Sequence, residues 1–119
     1  MSLVVRGKIF LSGRLLDGCI LVENGRIARI AKELKGEEIK FGRGCVVLPG
    51  LLDMHVHLRD FELSYKEDFE TGTMAAAMGG FTVVADMPNT KPPVNRPSVL
   101  RTREKVAGRK SFVDYALYY

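Results

Sequence analysis

Between Leu52 and Arg59 apolar and ionisable residues alternate without exception: Leu52, Met54, Val56 and Leu58 against Asp53, His55, His57 and Arg59. Successive side chains of a strand point to opposite faces, so the pattern predicts a strand over residues 51–58 with four polar groups on one face. A solvated strand face is ordinarily built from Thr, Ser, Lys or Glu. A face of Asp, His, His and Arg is suited to chemistry instead, and it holds both histidines of the chain.

The preceding region has a different pattern, short apolar runs punctuated by glycine. Residues 3–5 and 8–11 read as strands broken at Gly7, and residues 19–23 and 26–30 as arms of a hairpin turned at Asn24-Gly25. The charged stretch 32–38 reads as a turn, and residues 39–41 and 45–48 add two strand pieces. After Pro49-Gly50 the order becomes strand (51–58), helix (67–78), strand (82–87), helix (98–107) and strand (111–117). Gly79-Gly80 closes the first helix, Pro97 sits in the first turn of the second, and Gly108 is expected to end it. Val99 and Val106, with Leu100 nearby, would share the buried stripe of that second helix. Phe81-Thr82-Val83-Val84-Ala85 is almost wholly apolar, as for a strand covered on both faces. Alternating strands and helices with short links imply parallel strands joined by right-handed crossovers. Three such strands leave two open edges and a (β/α)8 barrel needs eight, so the chain is expected to be part of a longer protein.

Composition narrows the classes without naming a function. The chain has 119 residues, 27% charged and 46% hydrophobic, which suits one folded domain and argues against disorder. No apolar run is long enough to span a membrane and no leader pattern opens the chain, so a cytoplasmic location without membrane association is expected. Cys19 and Cys45 lack a Cys-x-x-Cys spacing and read as buried apolar residues in a reducing compartment, with a disulfide between them left open. Net charge is +4, and Lys91, Arg96, Arg101, Arg103, Lys105, Arg109 and Lys110 stand against Glu104 alone between positions 91 and 110. No aromatic interleaving or nucleic-acid motif accompanies them, so they read as a solvated helix face and its flanks.

The chemistry centres on the alternating strand. Histidines at i and i+2 share a face with backbone positions about 6 to 7 Å apart, close enough for both imidazoles to reach one cation. Asp53, on the same face, could orient or charge-balance that site, or pair with a lysine elsewhere. Arg59 could hold a carboxylate with its two-pronged guanidinium, or simply be an exposed loop residue. Asn89 and Thr90 follow the next strand at the same end of the sheet, where active sites of α/β folds collect.

Pro49-Gly50-Leu51-Leu52-Asp53-Met54-His55-Val56-His57 resembles the opening motif of the amidohydrolase superfamily, metal-dependent hydrolases on a (β/α)8 barrel. Residues 70–82, from Glu70-Thr71-Gly72-Thr73 to Gly79-Gly80-Phe81-Thr82, resemble the cyclic-amidase branch. Within that branch, Arg59 after His57-Leu58 and the loop Met87-Pro88-Asn89-Thr90 resemble dihydroorotase. Allantoinases typically carry asparagine or another residue where Arg59 stands, and Leu-Asn after Met-Pro; hydantoinases generally lack the Met-Pro-Asn-Thr loop.

The resemblance implies an α/β fold: residues 1–48 as part of a small β-sandwich domain and residues 49–119 as the first βα units of the barrel. It implies zinc-dependent, reversible hydrolysis of dihydroorotate to N-carbamoyl-aspartate in pyrimidine synthesis, with one or two zinc ions. His55 and His57 would be metal ligands, His57, Arg59 and Asn89 would contact substrate, and Asp53 would support the ligands. The bridging lysine or aspartate, two further histidines and the proton-shuttling aspartate belong to later strands, so no catalytic residue is expected within this chain; Lys66, in the first loop, does not match the bridging lysine. Alone, the chain would be inactive. Its implied partners are the substrate and the rest of the barrel, with a homo-oligomer or an association with another pyrimidine-pathway enzyme both open. The alternatives are an allantoinase or hydantoinase type of cyclic amidohydrolase, and a non-catalytic scaffold subunit of dihydroorotase type.

Overall fold

Ten consecutive residues of β1 (Ser2–Leu11) pair antiparallel with β2 (Arg14–Glu23) in the computed structural model, which describes residues 2–119. β3 (Arg26–Ala31) extends this sheet beyond β2, while β4 (Glu38–Lys40) and β5 (Val46–Val47) pair with β1 in parallel. Both hairpins turn on two residues at positive φ, Ser12-Gly13 and Asn24-Gly25, which suits the twist of the flanking strands. The expected break at Gly7 does not occur. Gly7 lies opposite Gly18 in an unbroken ladder, whose pairing offsets the glycine cost of roughly 0.5–1 kcal/mol. The same ladder starts β2 at Arg14, well before the expected residue 19, because Leu15 and Leu16 pair with Phe10 and Ile9.

The cysteine expectation is half corrected. Cys19 is buried, but Cys45 is exposed, held in a turn by its N–H bond to the Gly42 carbonyl; both thiols are free. A disulfide between them is absent.

The chain divides into two units, Met1–Pro49 and Gly50–Tyr119, and the second carries the candidate site. Its sheet has the order β6 (Leu51–Val56), β7 (Phe81–Asp86), β8 (Asp114–Leu117), all parallel. α1 (Phe69–Met78) and α2 (Pro97–Lys110) are the two crossovers. Leu58, Phe69, Val84 and Ala107 form the core, with Val56, Val106, Val113 and Tyr115 packed against them. Two glycines mark close approaches: a Cβ on Gly50 would lie 2.3 Å from the Thr82 side chain, and one on Gly72 would lie 2.4 Å from Leu58 Cδ2. The second explains a glycine inside a helix, where it costs about 1 kcal/mol by propensity.

Several boundaries differ from the expected ones, among them the start of β8, at Asp114 rather than 111. β6 stops at Val56 rather than 58, because the Leu58 N–H turns to the Asp86 carboxylate at 2.8 Å. α1 starts at Phe69 rather than 67, because Asp68 caps it by accepting the Thr71 N–H at 2.9 Å. α2 passes through Gly108 to Lys110; a Cβ at 108 would lie 3.1 Å from the Tyr115 hydroxyl, so the glycine gives room to a neighbour and does not end the helix. No helix among the described residues is long and apolar enough to cross a membrane.

The cap makes a pH-dependent contribution. The Thr71 N–H, chiefly, holds the Asp68 carboxyl below its ordinary range, with Lys110 adding to the effect. Its stabilisation is present above the ordinary carboxylate range and disappears as pH falls through the lowered value. Asp68→Ala should therefore cost about 1 kcal/mol at neutral pH. Urea titrations at descending pH should show the two proteins converging; a difference independent of pH would assign the loss to something other than the charged cap.

Candidate active site

The polar face of β6 leads directly into a loop held in an uncommon backbone conformation. Within the strand, the Asp53 carboxylate accepts the His55 backbone N–H at 3.0 Å, so it fixes the main chain and does not touch the imidazole. The His55 and His57 rings meet edge to face with centroids 5.2 Å apart, which places both on one side of the sheet. His57 Nδ1 lies 2.9 Å from Asn89 Oδ1. The amide oxygen only accepts, so Nδ1 carries the proton and the Nε2 lone pair stays free for a cation. Arg59 donates from Nη1 to the Asn89 carbonyl at 3.3 Å. His57, Arg59 and Asn89, from the ends of adjacent strands, thus form one connected cluster. Lys66 stays apart in the first loop, exposed, with its ammonium 5.6 Å from the Tyr65 ring centroid.

Arg59, Asp60 and Phe61 all have positive φ, at 53°, 57° and 52°. Asp60 also has ψ −172°, a combination that side chains strongly disfavour. Such residues cost on the order of 1–3 kcal/mol each and persist only where surrounding structure enforces them. Here a buried network does so. Asp86, at the end of β7, accepts the Leu58 N–H on Oδ1 and binds Arg103 Nε and Nη2 on Oδ2 at 2.8 and 2.5 Å. Arg103 spends its remaining Nη1 on the Arg59 carbonyl at 2.8 Å, and its guanidinium carbon lies 4.7 Å from the Phe69 ring centroid. The Asp60 N–H bonds the Glu67 carbonyl, and its buried carboxylate takes the Phe61 and Phe69 N–H groups and the Lys110 ammonium.

The reading of residues 91–110 as a solvated face holds for Lys91, Arg96, Arg101, Lys105 and Arg109, which are exposed, and is corrected at two positions. Arg103 is completely buried and Lys110 is partly so, because each neutralises a buried aspartate. Asp86, Asp60, Arg103 and Lys110 were not among the expected site residues. A signal existed for Arg103: it stands four residues from Val99 and Ala107 and three from Leu100 and Val106, on the apolar stripe of the helix. Asp86 likewise closes an apolar run.

Among the described residues no group of three or more His, Cys, Asp or Glu could hold a metal ion. His55 and His57 converge, and the free Nε2 of His57 suits a metal ligand. A catalytic zinc ordinarily needs three protein ligands, and this pair alone falls short of that number.

The sequence model of the family described as "Dihydro-orotase-like" matches residues 44–117, which include the whole cluster. The chain belongs to this dihydroorotase-like family. Among its relatives, "Dihydroorotase" of Pyrococcus furiosus is 54% identical over 119 residues, covering 98% of the chain and 29% of that protein. "Dihydroorotase" of Archaeoglobus fulgidus is 47% identical over 114 residues, covering 96% of the chain and 27% of that protein. Of solved structures, L-hydantoinase from Arthrobacter aurescens superposes with a TM-score of 0.84 at 29% identity, covering 98% of the chain and 27% of that protein. A D-hydantoinase superposes with a TM-score of 0.81 at 32% identity, covering 98% of the chain and 26% of that protein. The chain thus spans under a third of these dihydroorotase-like and hydantoinase proteins.

Proposed function

We propose that this chain is the first part of a zinc-dependent dihydroorotase. Residues 50–119 would supply the opening βα units of its (β/α)8 barrel, and the residues before them part of a small β-sandwich. The observation that carries this reading is the cluster of His57, Arg59 and Asn89 at the C-terminal ends of β6 and β7, the end of parallel sheets where substrates bind. Exposed apolar side chains on β6, Leu52 at 62% and Met54 at 58%, agree with a barrel that further elements complete.

The reaction opens the ring amide: water oxygen joins the carbonyl carbon, the C–N bond breaks, and the released nitrogen takes a proton. Zinc, when bound, would supply an activated water and polarise the carbonyl. His55 and His57 would hold it, with Asn89 Oδ1 keeping the His57 proton on Nδ1. Asn89 Nδ2 remains free to donate to the substrate carboxylate beside the Arg59 guanidinium, a two-sided grip that orients the ring. That grip favours dihydroorotate over the hydantoins of the structural neighbours, whose rings need no carboxylate held at this position.

The 119-residue chain mixed with dihydroorotate and zinc should show no ring opening above background and only weak zinc binding. Joined to the remaining length of the Pyrococcus furiosus relative, it should open dihydroorotate. A joined protein that folds, binds zinc and leaves dihydroorotate untouched would overturn the reading in favour of another cyclic amide or of a scaffold role.

A further inference from the structure

We infer that Arg103 and Lys110 are positioning residues for substrate carboxylate recognition, acting through the backbone on which Arg59 stands. This rests on the reading of Arg59 as the carboxylate-binding arginine. Both residues lie on α2, and neither bonds a side chain of His57, Arg59 or Asn89; Arg103 meets that cluster only at the Arg59 backbone carbonyl. Yet they reach the loop at successive points.

The peptide between Arg59 and Asp60 is held at both ends. Its carbonyl takes Arg103 Nη1 at 2.8 Å, and its N–H bonds the Glu67 carbonyl at 3.0 Å. One residue earlier, the Leu58 N–H is held by the same Asp86 carboxylate that binds Arg103. One residue later, the Asp60 carboxylate is tied to Lys110 at 2.9 Å. Three consecutive residues with positive φ have many easier conformations open to them, and most would turn the Arg59 side chain elsewhere. A guanidinium grips a carboxylate with both prongs only in a narrow range of orientations. The fully buried Arg103, anchored on Asp86 and stacked near Phe69, makes the fixed end of this clamp. Lys110, whose side chain is 33% exposed, makes the softer end.

The role predicts a split between substrate binding and turnover. In the chain joined to the rest of a dihydroorotase, Arg103→Lys keeps a charge opposite Asp86 but loses the donation to the Arg59 carbonyl. The KM for dihydroorotate should rise about tenfold, with zinc content unchanged and kcat within about twofold. Lys110→Met, at a partly exposed position, tests the softer end if the buried variant does not fold, and should raise KM about threefold. A merely structural defect would lower the active fraction, reducing kcat and zinc together at constant KM. Constant KM in the folded variants, beside normal parent turnover, would overturn this inference alone. A parent that hydrolyses dihydrouracil, which lacks the carboxylate, but ignores dihydroorotate would overturn the underlying reading.

Discussion

Replacing His55 or His57 by alanine in the completed enzyme should lower ring opening by at least about 10³-fold, with loss of stoichiometric zinc. A metal ion contributes several kcal/mol to such a reaction, and each ~1.4 kcal/mol is a factor of ten. Folding should be little affected. His55 is exposed and His57 half-buried; neither belongs to the core cluster, and the contacts their side chains make are with each other and from His57 to Asn89. The two variants differ in what they leave behind. Without His57 the Asn89 side chain loses its partner, so under the proposed carboxylate recognition KM should rise as well; without His55 KM should hold. Metal analysis by mass spectrometry with steady-state kinetics would check both. Full zinc and near-normal turnover in either variant would remove these histidines from the metal site.

The second large effect concerns stability. Asp86→Asn leaves the Arg103 guanidinium buried without its counter-charge, and breaking a pair this way costs about 3–5 kcal/mol. Both side chains are only 1% exposed, so water cannot take over. Asp114→Asn, at an exposed position, serves as the comparison and should change stability by under about 0.5 kcal/mol. Replacing both partners, as Asp86→Leu with Arg103→Met, should recover most of the loss, because the paired charges gain little over apolar packing. It would not restore the hold on Leu58 and Arg59. Urea denaturation of the parent and the three variants measures the energies, and equal costs for Asp86→Asn and Asp114→Asn would contradict the buried pair.

Local pattern foretold much of this molecule. The alternation from Leu52 to Arg59 predicted a strand with its histidines on one side, and the ring contact of His55 and His57 agrees. Asn24-Gly25 predicted its hairpin, and Met74-Ala75-Ala76-Ala77-Met78 followed by two glycines predicted the end of α1. These features depend on neighbours a few residues away, so propensity and periodicity report them. The motif also carried enough for the family, because metal and carboxylate chemistry demand particular side chains at particular spacings.

The errors lie where distant residues compete for the same backbone groups. β1 runs through Gly7 because all of β2 lies against it, and α2 runs through Gly108 because Tyr115 occupies the space beside it. Arg103 looked like one solvated charge among seven because its partner, Asp86, lies 17 positions away. By itself the sequence determined the elements, the polar face and the chemistry that the face can support. Only the tertiary structure decided that Asp86, Arg103, Asp60 and Lys110 would meet and hold Arg59 at positive φ. Backbone strain of that kind is unfavourable locally, so only packing between distant segments can sustain it.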